Sequence, residues 1–505
     1  MESTKFLFLF VFFYFGAFGI KFLVTIYTKN DIPGFMKIAF LHYHLKTGGV
    51  TTVLKQQLGA LSDRWQTLVL TGHSPETSFP ARIIHIPELA YSSQYNGPLD
   101  PDDVAQGILE VIHTRFNGPC DVLHVHNPTL AKNDHFLKIL KSLQTKGVNL
   151  LLQIHDFAED GRLQAYFTEA YPTDCHYSVI NGRDYDIMLK AGLKPQGLHL
   201  LANMVALPRK TPSPDALPKP MVLYPVRAIR RKNIGEAILL SLFFQNERTL
   251  SITLPPNSAA DIKSYQNWKA FVKDRNLKVE FDRGLNHDFE TSVMSADSLI
   301  TTSITEGFGF SYLEPWLFGK MLWGRKLPDI CHDFEKKGID LQHLYDRLLV
   351  PVDWFGLPRF RKKWTSCVHG TCRLFNHSVD DTLIQQTFDL CTKDGNIDFG
   401  LLDEGSQKKV IDELIGDPKK SEALMQLNPI LTSPGDVSDK NSLIRHNREA
   451  IEQSYNQKQY GQILGETYDR VAHTSVKQSI DKRVLISAFL DLERFSLLKW
   501  SEFAG

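Results

Sequence analysis

The sequence has no excess of charge of either sign. Lysine plus arginine total 57, and aspartate plus glutamate also total 57. A protein that binds DNA or RNA normally carries a strongly basic face or domain. The balance therefore argues against that class, and we expect no nucleic-acid partner.

Cysteine is also scarce, at six residues in 505. That number is too small for a disulfide scaffold and suits a reducing compartment. One short cluster, Cys367-x-His369-x2-Cys372 with His377 beyond it, can be interpreted either as ordinary loop residues or as a metal site. Because no second ligand pair follows at a standard spacing, ordinary loop residues are favoured. We expect no metal and no cofactor.

The chain lacks a long uninterrupted apolar run. Residues 7–20 are uncharged and rich in phenylalanine, Lys21 interrupts them, and apolar residues resume up to Tyr27. A membrane-spanning helix needs about 20 residues, so an anchor within residues 1–27 requires that Lys21 be tolerated. The alternative is that Met36 is the native start and that residues 1–35 precede the fold. We expect a cytoplasmic protein, with membrane association through residues 1–27 as the alternative.

From Met36 onward, short apolar runs alternate with stretches of helical periodicity. The strand-like runs of the first half are 37–42, 67–70, 82–86, 122–125, 150–154, 177–180 and 198–201. Those of the second half are 221–224, 250–254, 277–281 and 298–302, separated by helical patterns. Such alternation predicts parallel βαβ units, with continuous apolar strands in sheets buried on both faces. The fold class is α/β, with two Rossmann-like parallel-sheet domains facing a central cleft.

Proline marks the boundary between these domains. Residues 208–220 contain five prolines and predict an extended linker. The first domain is expected over 36–207 and the second over 221–474, with an irregular insertion at about 326–400 and a helical tail over 475–505. Ligands of such folds bind outside the carboxyl ends of the strands, which places the site in the cleft.

Two glutamates follow the predicted strand 298–302. Glu306 lies in a glycine-containing turn, and Glu314 lies eight residues further, where a helix is expected. Carboxylates accept hydrogen bonds from hydroxyl groups, and the free amides at a helix start bind phosphate or carbonyl oxygens. The pair therefore suits the hydroxyls of a sugar and a ribose, although a capping glutamate and a surface glutamate would give the same pattern.

Further candidates lie at the ends of other predicted strands. His155 and Asp156 follow the run 150–154, with a histidine bonded to its neighbouring aspartate as the structural alternative. His124 and His126 are two residues apart and share a face of an extended strand, so either both or neither should line the cleft. These two histidines and Asp156 are candidates for an acceptor pocket.

Three segments together resemble the retaining GT-B glycosyltransferases of family 4, also described as glycosyl transferases group 1. They are Glu306-Gly307-Phe308-Gly309 with Glu314, Val226–Asn233 with Arg227 and Lys232, and Thr47-Gly48-Gly49-Val50. The resemblance covers about residues 36–325, with looser support to about 475. It implies transfer of a hexose from a nucleotide-sugar donor to a hydroxyl of a small-molecule or glycan acceptor, with retained anomeric configuration.

The resemblance also implies individual roles. Arg227 and Lys232 would neutralise the donor diphosphate, and the amides of Gly48 and Gly49 would approach its phosphates. Arg230 and Arg231 lie between these two cations in sequence; we expect them in a solvated basic loop, from which their side chains need not reach the cleft. Glu314 would hold the ribose, and His155 would contact the sugar near its reacting carbon. The donor sugar would be held by the following residues: Glu306, Gly307, Phe308, Gly309 and Phe310.

Several residues depart from the family pattern. Val226 replaces the usual glycine, Pro315 follows Glu314 directly, and residues 321–326 stand where an apolar strand and a glycine-rich turn are usual. The basic and aromatic segment 359–364 predicts a solvated loop, with an anionic acceptor or membrane contact as the alternative. Two other functions stay open: an epimerase or glycoside phosphorylase on the same fold, and a non-catalytic relative that binds a nucleotide or glycan.

Overall fold

The structure is a computed structural model that describes residues 36–61, 65–75, 79–95, 97–209, 220–432 and 437–500, with the backbone of 8–16 and 19–27. The predicted linker and tail therefore lie partly outside the described residues, at 210–219 and 501–505. Strands β1 (Phe8–Gly16) and β2 (Gly19–Tyr27) pair as an antiparallel hairpin. Among the described residues, no helix has both the length and the apolar character needed to cross a membrane.

The first domain is a seven-stranded parallel sheet. Its strands are β3 (Met36–His42), β4 (Trp65–Thr71), β5 (Ile83–His85), β6 (Val122–His126), β7 (Leu150–Ile154), β8 (His176–Val179) and β9 (Leu198–Leu200). Its helices are α1 (Gly49–Ala60), α2 (Pro101–Phe116), α3 (Phe136–Thr145) and α4 (Gly182–Lys190). The strand order β5-β4-β3-β6-β7-β8-β9 reverses direction between β3 and β6, which is the Rossmann arrangement.

The second domain repeats that arrangement with five parallel strands. They are β10 (Met221–Arg227), β11 (Thr249–Leu254), β12 (Val279–Glu280), β13 (Ser298–Thr301) and β14 (Met321–Gly324). The helices are α5 (Ile234–Ser241), α6 (Ala259–Asp274), α7 (Arg283–Asn286), α8 (Phe289–Ser295), α9 (Glu314–Leu317) and α10 (Pro328–Glu335). The order β12-β11-β10-β13-β14 reverses between β10 and β13, so each domain offers a binding crevice at its reversal point.

The rest of the chain is mainly helical. It contains β15 (Leu349–Pro351), α11 (Leu357–Leu374), α12 (Asp381–Cys391), β16 (Asn396–Asp398), α13 (Glu404–Gly416), α14 (Pro418–Leu427), α15 (Lys440–Ser454), α16 (Gln457–His473), α17 (Lys482–Phe489) and α18 (Leu497–Trp500). Helix α16 packs on α1 and β6, and α17 packs on α4. The chain thus returns to the first domain at Gln457, ahead of the expected tail at 475.

Local sequence explains where the helices begin. Asp100 caps α2 by accepting hydrogen bonds from the amides of Asp102 and Asp103, and Pro101 occupies the first turn. Asn181 caps α4 by accepting from the amide of Asp184. In both cases the cap satisfies amides that have no partner within the helix.

The segment 326–400 differs from the irregular insertion that the sequence predicts. It holds three helices and an antiparallel pair of strands, β15 with β16, and Phe360, Trp364 and Phe388 are buried in the core of the second domain. The expectation of irregular structure is wrong because Pro328 and Pro358 do not break helices here. Each occupies a first helical turn, where proline is tolerated.

Two smaller sequence interpretations are also corrected. The basic and aromatic segment 359–364 is not a loop but lies within α11, with Phe360 and Trp364 facing inward. Residues 321–324 do not replace the usual apolar strand, because they form β14. Gly324 has φ of 124°, and a Cβ there would lie 2.0 Å from the carbonyl oxygen of Thr301, so glycine is required at that strand end.

A buried ion network joins the segment 326–400 to the sheet of the second domain. Arg325 donates to both carboxylate oxygens of Glu236 at 2.8 and 2.6 Å, and to both of Asp398 at 2.8 and 2.7 Å. Tyr345 donates its hydroxyl to Glu236 at 2.7 Å. Because Asp398 belongs to β16 and Glu236 to α5, one guanidinium joins the end of β14 to both elements.

Replacing Arg325 should therefore destabilise the second domain. We expect Arg325→Met to lower the free energy of unfolding by about 3–5 kcal/mol, because two buried carboxylates lose their common partner. The matched control is Arg248→Met, whose partly exposed pair with Asp297 should contribute less than about 1 kcal/mol. Denaturant unfolding of both variants measures this; equal losses would contradict the assignment.

Candidate active site

A cleft of about 500 Å³ opens between the two domains. The ends of first-domain strands, the loops that follow β10 and β13, and the C-terminal helix α18 all line it. The reversal point of the second sheet thus faces the first domain, where this class of fold binds its ligands.

Hydrogen bonds from Tyr224 in β10 and from Thr302, just after β13, hold the loop that follows β10. Tyr224 donates its hydroxyl to the carbonyl of Lys232 at 2.6 Å, and the hydroxyl of Thr302 bonds the carbonyls of Lys232 and Asn233 at 3.2 and 3.0 Å. Asn233 adopts the left-handed conformation with φ of 50°. These bonds leave the Lys232 side chain directed toward the loop after β13.

Lys232 and Glu306 form a buried ion pair. The ammonium Nζ lies 2.5 Å from Oε1 of Glu306, and both side chains are at least four-fifths buried. Although burial opposes it, the positive charges of Lys232 and Arg231 hold the pKa of Glu306 below its usual value. Burial lowers the pKa of Lys232, and the Glu306 carboxylate counteracts that effect. The carboxylate is therefore ionised and ready to accept hydrogen bonds from hydroxyl groups.

The turn after Glu306 touches the first domain directly. A Cβ at Gly307 would lie 3.1 Å from the carbonyl oxygen of His155, and Asn181 donates to the Gly307 carbonyl at 2.6 Å. Asn127 accepts from the amides of His155 and Asp156 at 2.8 and 3.2 Å. The end of β7 and the turn after β13 are thus held against one another at the cleft.

The candidate histidines form a buried row on one face of the first sheet. His126 Nδ1 and His155 Nε2 share a hydrogen bond of 2.9 Å, so the bond from His155 goes to this ring rather than to Asp156. His124 bonds the hydroxyl of Tyr468 and the amide oxygen of Gln153, each at 2.9 Å. Burial lowers the pKa of His155 to about 4, so its ring is neutral at pH 7.

Only part of the expected site is brought together at the cleft. His155, Asp156, Glu306 and Gly307 line it, whereas His124 and His126 are buried beneath it and do not. Of the two arrangements open to these histidines, the structure has neither ring in the cleft. Of the three residues expected for an acceptor pocket, Asp156 lines the cleft.

The remaining candidates lie around the cleft rather than on its lining. Gly48 and Gly49 are exposed at the start of α1, and Arg227 donates to the carbonyl of Pro255 at 2.9 Å. Glu314 begins α9 and is half-buried, with no hydrogen bond or ion pair in the described part of the chain. In the turn between Glu306 and Glu314, the residues Phe308, Gly309 and Phe310 pack mainly within the second domain.

The cleft also contains charged residues that the sequence did not single out. Arg162 bonds Asp156 at 2.5 Å, Arg183 bonds Asp184 at 2.8 Å, and Lys499 pairs with Asp160. Arg183 follows the end of β8, so the strand-end rule that found His155 would have found it. Lys499 carries no such signal, because it is more than 300 residues away from its partner in sequence.

Arg230 and Arg231 require a correction. The sequence predicts that these arginines belong to a solvated loop and need not reach the cleft. The structure places both on its lining, with Arg231 Nη1 3.9 Å from Asp156 of the first domain. The loop folds as a single 3-10 turn, Arg230–Lys232, which directs successive side chains to different sides.

The alternative metal cluster falls on helix α11 and just beyond it. Cys367 and Cys372 are buried there, and His369 pairs with Asp381. In the described residues, no three histidine, cysteine, aspartate or glutamate side chains are grouped so that they could hold a metal ion.

Comparison with known proteins adds a sequence relative and a fold. No protein-family profile matches the chain. The chain is 28% identical to mannosylglucosyl-3-phosphoglycerate synthase of Petrotoga mobilis. The 380 aligned residues cover 64% of this chain and 71% of that protein.

Solved structures are similar over most of the chain. Sucrose-phosphate synthase of Thermosynechococcus elongatus matches with a TM-score of 0.50 and 13% identity, covering 86% of this chain and 98% of that one. HepE of Anabaena, solved with UDP and glucose, gives the same score and identity, with 86% and 99% covered. The chain has the GT-B fold of these structures. The expected fold class is thereby confirmed.

Glu314 should make stability depend on pH. Burial raises the pKa of its carboxyl from 4.5 to about 7. The stabilising contribution of the neutral acid is therefore complete below about pH 4.5 and is lost as the pH rises through about 7. We expect the Tm of the parent, relative to Glu314→Gln, to fall between pH 5 and pH 8. The exposed Glu110, changed to glutamine, serves as the control and should leave the profile of the parent unchanged.

Proposed function

We propose that the chain transfers a hexose from a nucleotide-sugar donor to an acceptor hydroxyl, with retention of anomeric configuration. The observation that carries the proposal is the Lys232–Glu306 pair at the reversal point of the second sheet, whose Glu306 lines the cleft together with His155. A carboxylate for sugar hydroxyls and a cation for phosphate are thus placed side by side. The sequence relationship to a glycosyltransferase supports the same reaction class.

Each side chain has a role that its chemistry allows. Glu306, ionised beside Lys232, accepts hydrogen bonds from hydroxyls of the donor sugar, and the half-buried Glu314 receives the ribose. Lys232 and Arg227 neutralise the diphosphate as it leaves. Cations placed there stabilise charge that grows as the glycosidic bond breaks, so they favour the transition state over the bound substrate.

The transfer needs no further reactant. The bond between the anomeric carbon and the diphosphate oxygen breaks, and a bond from the acceptor oxygen forms on the same face of the sugar. The leaving phosphate accepts the proton of the acceptor hydroxyl. His155 contacts the sugar as a neutral ring, since its pKa of about 4 precludes a charged imidazolium at pH 7. On this proposal the protein's own cations carry the leaving-group charge and no metal is required.

The acceptor is proposed from the sequence relative. That protein is named for a product containing 3-phosphoglycerate, so a phosphoglycerate glycoside is the first acceptor to test. The donor is best found by thermal-shift screening against UDP-, GDP- and ADP-sugars, because a specific ligand raises Tm by mass action.

Variants of the ion pair test the proposed chemistry. With the donor so identified, Lys232→Ala should lower turnover by about 10²- to 10³-fold, because charge on the leaving group loses a fixed partner. Glu306→Gln should also reduce turnover, since a neutral amide holds sugar hydroxyls less strongly than a carboxylate. The exposed Lys278, replaced by alanine, is the matched control and should behave as the parent does.

The readout must separate catalysis from folding. Circular dichroism and Tm establish that each variant is folded, and transfer to acceptor is measured alongside donor hydrolysis and phosphorolysis. Parent-like turnover in both Lys232→Ala and Glu306→Gln would refute the assignment. A reaction that consumes phosphate in place of an acceptor would point to a phosphorylase instead.

A further inference from the structure

The first-domain side of the cleft holds a compact group of charges that the proposed donor site does not use. Arg162 lies 2.5 Å from Asp156, and Arg231 approaches the same carboxylate to 3.9 Å. Asp160 is contacted by Lys499 and lies 3.8 Å from Arg183. We call Arg162, Arg183, Arg231 and Lys499 the cation cluster.

The cleft is not electrically balanced. Among the residues that the structure describes, six cationic side chains and five carboxylates line it, so positive charge is in excess. Arg231 has one long ion pair and no side-chain hydrogen bond in the described part of the chain, although a guanidinium carries five donors. Lys132 lies 5.9 Å from the ring centre of Tyr91 and, among the described residues, has no carboxylate oxygen within ion-pair distance.

The arrangement costs free energy as it stands. Burial lowers the pKa of Lys499, and the neighbouring charges of Arg183 and Arg231 lower it further, while Asp160 opposes both. Cations held close together with too few carboxylates repel one another, and an added anion relieves that repulsion. The cluster therefore has the charge and the unused donors of an anion site.

Lys499 reaches the cleft because the end of the described chain is firmly docked. Trp500 stacks on Phe495 with ring centres 5.5 Å apart, and Cys367 donates its thiol to the Trp500 carbonyl at 3.1 Å. Gly161, with φ of 90°, lies under the Lys499 side chain, and a Cβ there would be 3.0 Å from it. The lysine is held in place rather than extended into solvent.

We propose that Arg162, Arg183, Arg231 and Lys499 bind an acidic group, a phosphate or a carboxylate, carried by the sugar acceptor. The C-terminal helix α18 completes this site by supplying Lys499. Guanidinium groups suit such ligands because their planar donors match two oxygens at once.

The position of the cluster favours the acceptor over the donor. Arg162 and Arg183 belong to the first domain, and Lys499 pairs with a first-domain aspartate. Only Arg231 comes from the second domain, which holds the proposed donor residues. This inference rests on the proposed function, since it assigns the other substrate of the same reaction.

Direct binding tests the site without relying on turnover. The probe is 3-phosphoglycerate, which carries both a phosphate and a carboxylate, titrated calorimetrically into the full chain, with glycerol as its uncharged counterpart. Arg231→Ala and Lys499→Ala should each weaken probe binding about 10- to 100-fold, the usual effect of losing one contact between charged groups. Lys499→Arg should restore much of the loss.

The matched controls are exposed residues far from the cleft. Lys477→Ala removes a lysine near the C-terminus that pairs at the surface with Asp174, and Arg248→Ala removes a surface arginine. Both should bind the probe as the parent does. Melting curves show whether any loss reflects unfolding.

A nucleotide arm separates the acceptor from the donor. Binding of the nucleoside diphosphate that stabilises the parent most should stay within about two-fold in Arg231→Ala and Lys499→Ala. If nucleotide binding falls and probe binding does not, the cluster serves the donor and the proposal is overturned. The absence of probe binding to the parent, or unchanged probe binding in both variants, also overturns it. Failure of donor turnover in the parent would refute the proposed function and leave the binding result intact.

Discussion

The close contact between Gly307 and the carbonyl of His155 is the constraint on which the cleft depends. A Cβ at position 307 would lie 3.1 Å from that oxygen, and Asn181 donates to the Gly307 carbonyl at 2.6 Å. The ends of β7, β8 and β13 are therefore fixed relative to one another. Because Asp156, Arg183 and Glu306 follow these strand ends, the contact also constrains the distances between their charges.

The cleft contains these charged side chains although their burial costs free energy. An ion pair such as Lys232–Glu306 gives little net stability once both groups lose their hydration, and a hydrophobic pair of similar size would do as well. The network of Arg325 has a structural explanation, since it joins three elements of the second domain. The Lys232–Glu306 pair joins two neighbouring loops, and its carboxylate lines the open volume of the cleft, which is the setting in which fixed charge serves a ligand.

Sequence patterning predicted most of the two sheets, because continuous apolar strands and helical periodicity are local properties. The run 150–154 matches β7 residue for residue. Within the site, strand-end reasoning found His155, Asp156 and Glu306, and it failed where tertiary contacts decide. His124 lies beneath the cleft because α16 covers that face of the sheet, and Lys499 enters it because the chain returns. Neither the packing of α16 on the sheet nor the return of the chain to the cleft can be recognised from a short stretch of neighbouring residues.

The returning chain also links the two domains energetically. Helix α18 packs on the turn Arg230–Lys232 of the second domain, while Lys499 pairs with Asp160 of the first. An acidic group held between Arg231 on one side and Arg162 on the other would add an attraction across the same gap. Its binding would favour the arrangement in which Gly307 contacts His155, and that arrangement places Glu306 opposite the first domain. Recognition of the acceptor and assembly of the donor side would then be parts of a single equilibrium.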